Sequence, residues 1–184
     1  MSFLKLVQVQ HPTNGKMLDM VLTPGDAVAV LIFCRDTWEM LFVEQVRPAM
    51  MSKDNPTGRI TEIPAGRIEQ DEEAVLCAVR EVEEETKIGI TPDRVKVLNN
   101  GKFMAFCPGI TPEKVALFYV EIEESDLEKY QTVFGRADEG EETTLVRVKF
   151  SDVFSDKYEF ADLKTFAACM WFYKEYLQGN VLGL

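Results

Sequence analysis

Histidine is nearly missing from this sequence: His11 is the only one in 184 residues, and it lies in the turn-forming run His11-Pro12-Thr13-Asn14-Gly15, which assigns it to the surface rather than to catalysis. The cysteines Cys34, Cys77, Cys107 and Cys169 include no C-x-x-C pair, which argues against a zinc site and a disulfide framework and fits a reducing cytoplasm. Long apolar runs are lacking too. No stretch approaches the roughly 18 residues of a membrane span, so no membrane partner is expected. Residues 1–11 alternate like a strand and have neither the basic start nor the apolar centre of a signal peptide. Basic residues are scarce, 20 Lys and Arg against 31 Asp and Glu for a net charge of -11, which disfavours nucleic acid because backbone binding needs clustered cations. A phosphate-bearing small molecule would need metal ions to mask the repulsion. With no repeats, low-complexity segments or dividing linker, residues 1–184 read as a single domain long enough for a full core.

What is present alternates between strand and helix signals. Phe3–Val9 and Met17–Leu22 are short β-like runs around Asn14-Gly15, so residues 1–22 read as an N-terminal hairpin. Ala27–Phe33 is continuously apolar, as in a strand buried on both faces, and Trp38–Val46, Ile60–Ile63, Val95–Phe106, Val115–Ile122 and Thr143–Phe150 supply further β structure. Pro64-Ala65-Gly66 reads as a turn, and Ser125 as the cap of a short helical piece. Ala161–Gln178 reads as a C-terminal helix with Leu163, Phe166, Ala167, Met170, Tyr173 and Leu177 on its core stripe. Trp38, Phe103 and Phe106 are assigned to the core ahead of any stacking role. This order predicts an α+β domain, an α/β/α sandwich with a mixed sheet between two helices.

The chain is organised around the first of those helices, expected from Glu72 to Lys87 with Asp71 as N-cap. Val75, Ala78, Val79, Val82 and Thr86 form its apolar stripe, and Glu81, Glu84 and Glu85 gather on the opposite face at i, i+3 and i+4. Two carboxylates about 4 Å apart repel by about 4 kcal/mol at an effective dielectric near 20, and a cation reverses that sign. Oxygen-only ligands suit magnesium or manganese rather than zinc.

The spacing Gly66, five residues, Glu72, seven residues, Arg80-Glu81-Val82-Glu83-Glu84-Glu85 resembles the Nudix box, the signature of hydrolases that cut nucleoside diphosphates linked to another group. It departs from the pattern at Lys87, where the family has glycine. A glycine follows only at Gly89, so a helix end displaced by a residue or two is expected. Glu44-Gln45-Val46-Arg47-Pro48, Thr61-Glu62-Ile63-Pro64-Ala65-Gly66, Pro108-Gly109 and Ala137-Asp138-Glu139-Gly140-Glu141 look like the ADP-ribose diphosphatase branch of that family.

The resemblance implies the Nudix fold, a homodimer to which the N-terminal hairpin contributes, and a small nucleoside diphosphate derivative as substrate. It places Mg2+ (or Mn2+) on the Ala65 carbonyl and on Glu81, Glu84 and Glu85, with Glu141 a further ligand, and substrate on Arg47 and Glu62. Because ligated glutamates make poor bases, the loop Gly135–Glu142 is expected to move and bring the base, assigned to Glu139. Arg80 is expected to orient the cluster through Glu84 or Glu83. The implied reaction is hydrolysis of ADP-ribose to AMP and ribose 5-phosphate. Its alternatives are the same chemistry on GDP-mannose or UDP-glucose and a noncatalytic nucleotide sensor, against which the intact glutamates argue.

Overall fold

The computed structural model describes residues 4–23, 25–127, 133–134 and 142–179. The chain opens on β1 (Lys5–Gln10) and β2 (Met17–Leu22), an antiparallel hairpin that forms a two-stranded sheet of its own. Gly15 takes φ 71° in its turn, as the Asn-Gly signal requires, and His11 accepts the Thr13 N–H on Nδ1 there. Then come β3 (Ala27–Cys34), β4 (Glu39–Val46), β5 (Arg59–Glu62), β6 (Ala65–Arg67) and helix α1 (Ala74–Thr86). After these follow β7 (Lys96–Val97), β8 (Met104–Ala105), β9 (Lys114–Ile122), β10 (Val133–Phe134), β11 (Thr143–Lys149), the one-turn α2 (Phe150–Val153) and α3 (Leu163–Leu177). Among the described residues β3 to β11 build one mixed sheet, its long strands in the order β10-β11-β4-β3-β9-β7 with β3 and β9 parallel.

The apolar run of β3 is explained by its two covered faces. Ala29, Leu31 and Phe33 pack toward Ala168, Cys169 and Phe172 of α3, while Val28, Val30, Ile32 and Cys34 pack toward Cys77, Ala78 and Val82 of α1. Each of the Val, Leu, Ile and Phe side chains among them removed from water contributes roughly 1.5–3 kcal/mol. The expected sandwich is therefore the one observed, with the sheet between the two helices.

Several boundaries differ from expectation for local reasons. The helix α1 begins at Ala74, not Glu72, because Asp71 has φ 63° and cannot cap it; Glu73 occupies the N-cap position. At the other end the helix is not displaced. Lys87 itself takes the left-handed conformation, φ 58° and ψ 17°, that glycine favours after a helix, and its N–H bonds the Glu83 carbonyl. A non-glycine residue there costs roughly 1–2 kcal/mol, and the exposed Lys87 side chain recovers no packing. Lys87→Gly is therefore expected to raise unfolding free energy by about 0.5–1 kcal/mol in urea titrations; a loss would contradict this helix end.

The core stripe of α3 is rotated from the expected one. Its buried residues are Thr165, Ala168, Cys169 and Phe172, whereas Leu163 is 72% and Leu177 66% exposed and Phe166 is also exposed. Aromatic side chains stand on several sides of this helix, so apolarity alone does not fix its phase. Trp38, Phe103 and Phe106 are likewise exposed, contrary to their assignment to the core; Trp38, at φ 54° in the β3–β4 turn, packs edge-on against Phe33, Phe150 and Tyr176. Ser125 caps no helix: it lies inside a tight turn, Glu124–Asp126, closed by reciprocal side-chain bonds of Glu123 and Asp126.

Candidate active site

The site starts where β3 and β4 part. They pair only through Ile32–Cys34 and Glu39–Leu41; beyond that, β4 pairs with β5 and β3 with β6. Residues 59–67 are thus wedged between the two strands and cross from one to the other at Ile63-Pro64. The expected turn at Pro64-Ala65-Gly66 is therefore a crossing into a short strand. Val30 N–H donates to the Pro64 carbonyl at 2.9 Å and Ile68 N–H to the Asp26 carbonyl at 3.0 Å. The bonded positions are therefore 64, 66 and 68, which leaves the Ala65 carbonyl pointing out of the β3 ladder.

Gly66 faces the first glutamate of the acidic cluster. A Cβ there would stand 1.9 Å from Glu81 Oε1, so only glycine lets that carboxylate lie against the strand. Glu81 and Glu85 are 8% and 4% exposed, not on the solvent face expected of them; with Cys77, Ala78, Val82 and Thr86 they form the buried side of α1. Val75 and Val79 are only half-buried. The helix lies across the parting strands, so the face that meets β6 buries the Glu81 carboxylate and the face that meets β3 buries apolar groups.

Arg80 organises the cluster more extensively than expected. It donates to Glu72 at 2.9 and 3.0 Å, to Glu81 at 2.7 Å, to Glu84 at 3.2 Å and to the Arg67 carbonyl at 3.0 Å. Its hydrogen bonds hold the Glu72 carboxyl at about 2, below its ordinary 4.5, and Glu72 also accepts the Glu69 N–H. The nearby Cys77 thiol is pushed up by burial and bonds the Arg67 carbonyl, which keeps it protonated and unsuited to nucleophilic or metal chemistry. Glu72, Glu81 and Glu84 thus share one guanidinium, and among the described residues no three His, Cys, Asp or Glu side chains stand together at metal-binding distance. The donor set still fits a hard divalent cation. It consists of carboxylate oxygens on neighbouring helix turns beside a carbonyl left out of its ladder.

On the far side of α1, Thr143 Oγ1 donates to the Glu85 carbonyl at 2.8 Å, and Thr143 is fully buried. Thr143 also pairs with Phe134, so both stems of the acidic loop meet beside the end of the box helix. Arg59 ties one stem down, reaching Glu44 at 3.1 Å and Glu142 at 3.6 Å. Glu139 and Glu141 lie outside the described residues.

Arg47 and Glu62 are brought together: Arg47 Nε donates to Glu62 Oε1 at 2.7 Å, and Glu62 is 2% exposed. The other Glu62 oxygen is held by Lys164 Nζ. Lys164 also contacts Asp162 Oδ1 at 3.2 Å, and Asp162 caps α3 by accepting from the backbone N–H groups of Lys164 and Thr165. Lys164, Asp162 and Thr143 were not singled out from sequence. Asp162 carried a readable cap signal, one residue inside the expected helix start; Lys164 carried none, because its partner is 102 residues away.

A family model described as NUDIX domain matches residues 23–169. The chain belongs to the Nudix family. The Nudix chain is also 35% identical over 174 residues to a Bacillus subtilis (strain 168) protein named ADP-ribose pyrophosphatase, an alignment covering 91% of this chain and 83% of that protein. It is a Nudix hydrolase, and Nudix hydrolases generally use divalent metal ions. The Nudix box maps onto the region just described, from Gly66 against Glu81 to the end of α1. Among the described residues no helix is long and apolar enough to cross a membrane.

Proposed function

We propose that this Nudix hydrolase cleaves the diphosphate of ADP-ribose, adding water to give AMP and ribose 5-phosphate, with Mg2+ or Mn2+. The observation that carries the reading is the box with its glutamates complete, Glu81 seated on Gly66, in a chain 35% identical to a named ADP-ribose pyrophosphatase. The Ala65 carbonyl, Glu81, Glu84 and Glu85 would hold the metal, with Glu141 a further ligand. Bound there, it would neutralise phosphate oxygens and acidify a water. Arg80 keeps the carboxylates in place until then. The Arg47 guanidinium binds the diphosphate, because its planar fork matches phosphate oxygens, and Glu62, the second proposed substrate residue, holds that guanidinium through Nε. Glu139 takes the proton from the attacking water.

The hairpin supports a homodimer. Its two strands expose Leu6, Val9, Met17, Leu18 and Leu22, and a lone two-stranded sheet is marginal in water. Sedimentation at micromolar concentration is expected to show a dimer; a fully active monomer would sink this part. All four cysteines are free, which supports a reducing cytoplasm, and residues 1–184 are read as one catalytic domain.

Two measurements test the reading. A panel of ADP-ribose, GDP-mannose, UDP-glucose, dinucleotides and dinucleoside polyphosphates with magnesium, read by phosphatase-coupled phosphate release, is expected to favour ADP-ribose. A higher kcat/KM on a nucleotide sugar would move the specificity to that class, and no turnover of any substrate would favour the sensor. Magnesium at about 100 times its Kd should stabilise the fold by about 2.7 kcal/mol, a rise in Tm of roughly 5–10 °C. No rise would remove the metal site.

A further inference from the structure

We propose that Lys164, on the first turn of α3, is a positioning residue that keeps the Arg47 guanidinium open toward substrate by occupying the second oxygen of Glu62. The inference rests on the reading of Arg47 as the diphosphate contact. Glu62 is almost fully buried, and a buried carboxylate is stable only when both oxygens are partnered. Arg47 supplies Nε alone to Oε1, and among the described residues its two Nη groups make no other hydrogen bond, while its side chain is 38% exposed.

A carboxylate with both oxygens available draws an arginine into a two-bond fork. That closure would spend an Nη group on Glu62. Lys164 prevents it by binding Oε2. Its own side chain is 11% exposed, too enclosed to serve as the substrate contact. The Lys164 ammonium is fixed in turn by Asp162, whose Oδ2 accepts from Thr165 Oγ1 at 2.6 Å, and Thr165 Oγ1 accepts the Ile63 N–H at 3.0 Å. The start of α3 is therefore referenced to the residue next to Glu62, so Lys164 and the carboxylate it restrains move as one unit.

Steady-state kinetics on ADP-ribose, with Tm measured in parallel, test this on Lys164→Met, Lys164→Arg, Arg47→Ala and the double variant Arg47→Ala/Lys164→Met. Lys164→Met keeps the apolar stem and is expected to raise KM about tenfold with kcat within about twofold, the signature of lost uniform binding. Lys164→Arg should recover most of it. In the Arg47→Ala background, Lys164→Met should add nothing to KM, whereas a purely structural role would lower Tm equally in both backgrounds and leave KM alone. An unchanged KM in Lys164→Met, or the same rise without Arg47, overturns the proposal. Should Lys164→Met fail to fold, Lys164→Gln, with a shorter donor, should give a smaller rise, and an unchanged KM there overturns it equally. If Arg47→Ala itself leaves KM unchanged, it is the diphosphate reading of Arg47 that fails; if Arg47→Ala raises KM and Lys164→Met does not, only the present inference fails.

Discussion

Gly66→Ala is expected to lower kcat by roughly 10²- to 10³-fold, the scale of removing one preorganised electrostatic group from a site, with little change in Tm. The new methyl would stand 1.9 Å from Glu81 Oε1 and 2.0 Å from its carboxyl carbon. Those atoms are the far end of a side chain, so the clash is relieved by swinging the carboxylate away, not by moving β6 from β3. The substitution therefore moves the proposed ligand from its place while leaving the residue in the chain. Kinetics with saturating magnesium and thermal melting by circular dichroism check this; Glu81→Gln should match the loss. Near-normal kcat in Gly66→Ala would mean that the seated position of Glu81 is not the one used.

The second large effect is expected from Glu139→Gln, which keeps the shape of the proposed base and removes its proton affinity. General bases contribute typically ~10²- to 10⁴-fold, so kcat should fall within that range while KM stays nearly constant. Glu141→Gln should weaken magnesium activation. Glu142→Gln should do little, because Glu142 is drawn to Arg59 at 3.6 Å on the loop stem. If Glu139→Gln keeps its kcat and one of the other two loses it, the base has been placed at the wrong position in the loop; if all three keep it, the base is elsewhere.

The sandwich was legible because β3, β9 and α1 carry strong periodic or continuous apolar signals, and the box because its spacing is long. The burial of Glu81 and Glu85 was not legible. A glutamate at i, i+3 or i+4 reads as solvated unless one knows that β6 offers a bare glycine opposite it. The phase of α3 was hidden for the converse reason, since Leu163, Phe166 and Leu177 are apolar yet exposed. Lys164 depends on a contact between distant parts of the chain and on no local pattern. The left-handed Lys87 shows that this helix-ending conformation can be held by a residue type that does not favour it.

The bond from Thr143 to the Glu85 carbonyl sets a leash length. A chain spans at most about 3.5 Å per residue, so any base or metal ligand proposed on the loop can act only within a reach set by the few residues that separate it from Thr143. Adding residues between Gly140 and Thr143 would cost the fold little, since doubling a loop adds only about 0.6 kcal/mol of closure entropy. It would, however, lengthen the tether of a base or metal ligand proposed there and so lower its effective concentration at the site. With the roles proposed for Glu139 and Glu141, the length of this loop is thus bounded by catalysis and hardly at all by stability.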